Sequence, residues 1–230
     1  MRIASRLLIG LMALLLLPTV SMSARPPLWP DEMTLGNPQA KVVVVEYASL
    51  ACPHCARFHN DVFPAFKAKH IDSGKVLFVY REYITAPAQV SVAGAVVARC
   101  AGKTGYFKVI EGVFAAQQEI YAEGTVTGLR RILVREAARA GLTQPQVEAC
   151  LADTAAFEAM DVRVGRAARE EGVTGTPTFM VNGVKVRTPL TGEMDLATLD
   201  AAIAAAARPT PATPSSACPP ARRGRGRAGA

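Results

Sequence analysis

Acidic residues are missing from both ends of this 230-residue chain, and long hydrophobic runs are missing from all of it but one end. Residues 1–23 contain two arginines and no acid, residues 208–230 five arginines and no acid, and these seven supply the whole formal charge of +7. In the body between them, Ala24 to Ala207, 19 basic residues match 19 acidic ones. A neutral body has no single-sign field with which to hold a polyanion, which excludes nucleic acid as a substrate. The one sustained apolar run, Leu7 to Val20, has 14 residues, short of the about 20 that a membrane-spanning helix needs. A second Cys-x-x-Cys is absent, as is any His-x-x-x-His, so paired motifs do not complete the four ligands of a zinc or iron-sulfur site.

What the amino terminus does have is Arg2 and Arg6, then the apolar run, then Ser21-Met22-Ser23-Ala24. That order reads as a secretory signal peptide over residues 1–23, cut after Ser23 or, as second choice, after Ser21. An uncleaved amino-terminal anchor is the alternative, and either way the folded part lies outside the cytoplasm. Export permits disulfides among the five cysteines, Cys52, Cys55, Cys100, Cys150 and Cys218.

Half of the residues are apolar, enough for one sizeable core or one core with an inserted subdomain, and too many for disorder throughout. After a polar stretch, Pro26 to Ala40, the β-branched run Val42 to Tyr47 predicts a buried strand. Phe58, Val62, Phe63, Phe66 and Ile71 then recur at helical spacing. A helix therefore begins at Pro53, tolerable only in a first turn, and bends near Pro64. Val76 to Glu82 reads as a second strand, and strand, helix, strand suggests a right-handed parallel unit. Ala-rich segments punctuated by Gly follow, near 88–101, 106–118, 127–140, 144–152 and 155–171, predicting four or five helices. Strands return at Pro177 to Val181 and Val184 to Arg187, joined by Asn182-Gly183, a strong hairpin signal. A last helix over about 196–206 precedes a tail rich in Pro, Ala, Ser, Gly and Arg, expected to be disordered. The reading is an α/β domain interrupted by a helical insertion.

Cys52-Pro53-His54-Cys55 stands where the first strand gives way to the helix. That spacing serves zinc, clusters and redox dithiols alike, so context decides. A sulfur just before a first helical turn meets free backbone N–H groups and the positive end of the helix dipole, which favour thiolate over thiol. Such centres lower a cysteine pKa from about 8.5 into the range of roughly 3.5 to 7. His54 adds a donor beside the same sulfur. Stabilising the reduced form makes the disulfide easier to reduce, which is the property of a disulfide donor.

The segments Glu46-Tyr47-Ala48-Ser49-Leu50-Ala51-Cys52-Pro53-His54-Cys55 and Thr174-Gly175-Thr176-Pro177-Thr178-Phe179 resemble the DsbA family of bacterial periplasmic oxidoreductases, with a match from about Leu35 to Ala207. The resemblance implies a thioredoxin fold over 33–86 and 172–207, an all-helical insertion over 87–171 and a tail over 208–230. It implies that Cys52 is the exposed cysteine that bonds to a client and Cys55 the buried resolving partner. It makes Pro177 a cis-proline opposite the dithiol, where an ordinary trans proline opening a strand is the alternative, and has Thr176 offer backbone groups to an extended client. It places Glu46 as a buried acid moving protons to or from Cys55, against the alternative of a strand-end carboxylate in water. Related members join cysteines at positions such as Cys100 and Cys150, so a structural disulfide is expected there; two separate thiols are the alternative.

Cys218 has no evident intramolecular partner and is expected to be a free thiol or to form a chance intermolecular bridge. His59 shares a helix face with Cys55 but reads as a surface or partly packed side chain, and His70 as having no constellation around it. The expected activity is a periplasmic dithiol oxidase acting on unfolded exported proteins with free cysteines, reoxidised by a quinone-linked membrane partner of the DsbB type, monomeric, with no metal and no cofactor. An isomerase or reductase of the same fold, a copper-delivery module using Cys52, His54 and Cys55, and a client-specific adaptor are the rival readings.

Overall fold

A computed structural model describes residues 26–208. The expected signal peptide, Cys218 and all but Arg208 of the expected tail lie outside the described residues. Five strands form one sheet in the order β1-β3-β2-β4-β5. At its centre β2 (Val42–Ala48) and β3 (Val76–Glu82) run parallel with Val42 beside Val76 and Ala48 beside Glu82. Every residue of both strands is buried, as expected for a central pair covered on two faces. The alternation of side chains then sorts them. Val42, Val44 and Ala48 join the larger core with Phe63, Phe66, Tyr106, Ile110, Leu199 and Ile203. Val43, Val45 and Tyr47 face Trp29, Ala167 and Val173 on the other side.

Between β2 and β3 the chain is helical throughout: α1 (Pro53–Arg57), a wide π turn over Phe58–Val62, α2 (Phe63–Phe66) and a second π turn over Lys67–Ile71. The expected bend near Pro64 takes this form. Proline has no N–H to give and its ring crowds the carbonyl four residues back, and here the Phe63 N–H reaches five residues back to the Phe58 carbonyl.

Two features of the polar stretch were not legible. Residues Met33–Gly36 form β1, antiparallel to β3, and Trp29 is buried with the Arg81 guanidinium 3.8 Å from its ring centre. Gly36 closes β1 at φ +95°, where a Cβ would lie 2.4 Å from the Val76 carbonyl oxygen; no larger residue fits.

Past β3 come α3 (Ala88–Cys100), α4 (Gly102–Ala115), α5 (Gln117–Glu123), α6 (Val126–Arg139), α7 (Gln144–Ala152) and α8 (Thr154–Glu170). The sequence reading places no separate helix at α5. The chain breaks at Ala116, where ψ turns to 2°, and α5, at seven residues, is too short for helical spacing of apolar residues to register. The hairpin β4 (Thr178–Val181) and β5 (Val184–Lys185) turns through Asn182 and Gly183, both at positive φ, as a tight primed turn requires. Asn182 Oδ1 also accepts from the Val43 N–H at 2.8 Å, pinning the hairpin to β2. The last helix, α9 (Leu196–Ala207), is capped by Asp195.

Candidate active site

Cys52 ends the loop after β2 and is the residue that caps α1, with Pro53 in the first turn where no N–H is needed. Its Sγ accepts from the Cys55 N–H at 3.4 Å, and its thiol can donate to the Thr176 carbonyl, also at 3.4 Å. Both cysteines are unbridged here. The Cys55 thiol, donating to Cys52, lowers the Cys52 pKa to about 6; the Thr176 side chain and the backbone N–H groups of Cys55 and His54 add to this against the cost of burial. Cys55 has no exposed surface, and burial, followed by the hydrogen bond and charge of Cys52, pushes its thiol well above the ordinary value. The surroundings thus favour the thiolate of Cys52 and the protonated thiol of Cys55.

Two expectations change. Cys52 is only 6% exposed, so the sulfur assigned as the open one is itself largely covered, with the Thr176 carbonyl 3.4 Å away, though Cys55 is the more buried of the two. The His54 side chain does not face the sulfur. Its Nδ1 is 2.8 Å from Glu193 Oε1 and 2.7 Å from the Arg57 guanidinium, so what His54 gives Cys52 is its backbone N–H.

The peptide between Thr176 and Pro177 is cis, and Thr176, just before the β4 strand that pairs with β2, lies against Cys52. The Thr176 hydroxyl is buried with no hydrogen-bond partner among the described residues.

Beneath the dithiol, β2 register turns Glu46 to the face packed by the helical run, with no solvent contact. Its Oε2 lies 2.8 Å from His59 Nε2. His59 is buried, stacked on Phe114 with ring centres 4.4 Å apart, rather than at the surface or only partly packed as its sequence context suggested. The charge of Glu46 is among the influences raising the Cys55 pKa. His70 also has a partner after all, Asp200 Oδ1 at 2.6 Å, which ties the helical run to α9.

The helical insertion holds the dithiol loop through residues that sequence reasoning missed. Gln117 Nε2 donates to the Leu50 carbonyl at 2.8 Å and to that of Cys52 at 3.2 Å, and the Tyr121 hydroxyl donates to the Ala51 carbonyl. A Gln and a Tyr on a short helix give no local signal of this duty. Cys100 and Cys150 form a disulfide joining α3 to α7. Among the described residues no three His, Cys, Asp or Glu side chains are grouped to hold a metal ion.

The thioredoxin family model matches residues 29–203. The chain belongs to the DsbA-like branch of the thioredoxin family. A Rickettsia conorii chain provisionally named a protein-disulfide oxidoreductase is 32% identical over 173 residues, 75% of this chain and 59% of its own length. Its Rickettsia typhi counterpart is 34% identical over 155 residues, 67% of this chain and 56% of the relative. This DsbA-like chain thus spans less than two thirds of those relatives. Among solved structures, Wolbachia pipientis α-DsbA1 superposes with a TM-score of 0.67 at 29% identity, over 78% of this chain and 92% of that one. Chlamydia trachomatis DsbA, at 15% identity and a TM-score of 0.63 over 78% and 93% of the two chains, shares the fold. The thioredoxin fold with a helical insertion is common to this DsbA-like chain and its structural neighbours.

Proposed function

We propose that this chain is a thiol-disulfide oxidoreductase that donates the Cys52–Cys55 disulfide to exported proteins in the periplasm. The observation that supports it best is the asymmetry of the two sulfurs: a Cys52 thiol lowered to about 6 beside a buried Cys55 thiol raised well above its ordinary range. A client thiolate attacks Sγ of Cys52, the Cys52–Cys55 bond breaks, and the electron pair leaves on Cys55, which takes up a proton in its buried site. The client's second thiolate then attacks the client sulfur of the mixed disulfide and expels Cys52 as a thiolate, a good leaving group because its pKa is low. The client gains a disulfide and the enzyme is left as the dithiol.

Thr176 and Pro177 are the proposed client-binding residues, with the Thr176 carbonyl available to an extended backbone once the Cys52 thiol no longer uses it. Glu46, with His59, is the proposed proton acceptor and donor for Cys55. Reoxidation falls to a quinone-linked membrane partner of the DsbB type, and the amino-terminal segment is the proposed export signal. The Cys100–Cys150 bridge is assigned a structural role.

The test is a Cys55→Ala variant, which should accumulate exported proteins disulfide-bonded to Cys52, together with equilibration of the natural chain in glutathione buffers. A disulfide far more reducing than glutathione, with strong isomerase activity, would replace the oxidase assignment by the isomerase or reductase one.

A further inference from the structure

Arg57 lies five residues after Cys52 on the same helical run and is half exposed. Its Nε donates to Glu193 Oε1 at 2.8 Å, its Nη2 contacts the same oxygen, and its other neighbour is His54 Nδ1. The Cys52 charge is among the influences on Arg57, behind Glu193 and alongside Asp61, so the guanidinium is within electrostatic reach of the sulfur yet bonded elsewhere. Glu193 does not belong to the helical run. It comes from the bend before α9, where Met194 is buried in the core and Asp195 caps the helix through the Thr198 N–H at 2.7 Å, so its carboxylate is presented from a fixed point.

We propose that Glu193 is a positioning residue that restrains the oxidising strength of the dithiol by holding Arg57 away from the Cys52 sulfur. The inference rests on the oxidoreductase reading above. Cys52 bears a charge only in the reduced form, so a cation free to approach it stabilises the dithiol and leaves the disulfide unaffected. In the exchange of enzyme disulfide plus two glutathione thiols for enzyme dithiol plus glutathione disulfide, releasing Arg57 moves the equilibrium toward the enzyme dithiol. His54, bonded to the same carboxylate oxygen, is released with it and acts in the same direction when protonated. Asp61, the other acid near Arg57, is on the same run and opposes a full swing.

The test uses the full chain, Glu193→Gln and the double variant Arg57→Gln/Glu193→Gln, each equilibrated with glutathione and titrated for thiolate absorbance. A partly solvated ion pair sets the scale: Glu193→Gln should favour the enzyme dithiol by about threefold, roughly 15 mV, and lower the Cys52 midpoint by about half a unit. The double variant should return both readings to near those of the natural chain. No change in Glu193→Gln, a shift toward the disulfide, or a double variant that keeps the whole shift would overturn the proposal. A natural chain that fails to oxidise glutathione in that range sinks the functional reading instead, so the two failures are distinguishable.

Discussion

His59 Nε2 stands 2.8 Å from Glu46 Oε2, and solvent reaches 1% of one side chain and none of the other. The second oxygen of Glu46 and the second nitrogen of His59 are both buried with no partner in the protein. The pair is therefore a polar island among Phe58, Phe63, Tyr80 and Phe114, held together by one hydrogen bond.

Replacing His59 by Leu removes that bond and leaves Glu46 with no partner in an apolar surround. The expected cost is about 1–3 kcal/mol of stability, read as a lower urea midpoint with unchanged slope. Resolution of a Cys52 mixed disulfide should slow in the same variant, measured by quenching single turnovers with acid.

Cys52 should titrate with a midpoint near pH 6 in the reduced protein, followed by thiolate absorbance or by the rate of alkylation. The first cause of that low value is the Cys55 thiol, so Cys55→Ala should move the midpoint upward. Because the folded pKa is depressed below the unfolded one of about 8.5, the sign is set. The contribution to stability of the reduced form is complete above about pH 8.5 and is lost as pH falls through about 6. Urea midpoints of reduced protein, compared with Cys52→Ala across that window, should converge at the acid end.

Gln117→Leu leaves the Leu50 and Cys52 carbonyls, now 2.8 and 3.2 Å from the amide nitrogen, without their donor. About 1–3 kcal/mol of destabilisation follows. Tyr121→Phe should cost less, since Tyr121 is partly exposed and water can replace its hydroxyl. Faster amide exchange in residues 50–52 without global unfolding is the expected signature, and protection equal to that of the natural chain would show that α5 does not restrain the loop.

Cys100 and Cys150 are 50 residues apart. A loop of that length closed by a disulfide restricts the unfolded chain by about 4 kcal/mol. The Cys100→Ala/Cys150→Ala variant should unfold at correspondingly lower denaturant while its Cys52 titration stays in place, since neither residue touches the dithiol loop.

The local pattern of the chain determined a good deal. The β-branched run from Val42 predicts β2, the strand-length run Val76 to Glu82 predicts β3, Asn182-Gly183 predicts the hairpin, and a Cys-x-x-Cys entering a helix with Pro53 behind it predicts a capped sulfur, because each depends on neighbours within a few residues. The two cysteines and Thr176-Pro177 were legible too, through two motifs read together. What only tertiary structure decided joins residues far apart in the chain. Met33 to Gly36 has no strand pattern of its own and becomes β1 by pairing with β3. His59 looked like a surface or partly packed histidine because its helix period does not show that Phe114 and Glu46 close over it. His54 looked like a donor to Cys52 until Glu193, 139 positions away, took its ring nitrogen. Hydrogen bonding and burial depend on distance in space, and sequence spacing reports that distance only within one turn or one hairpin.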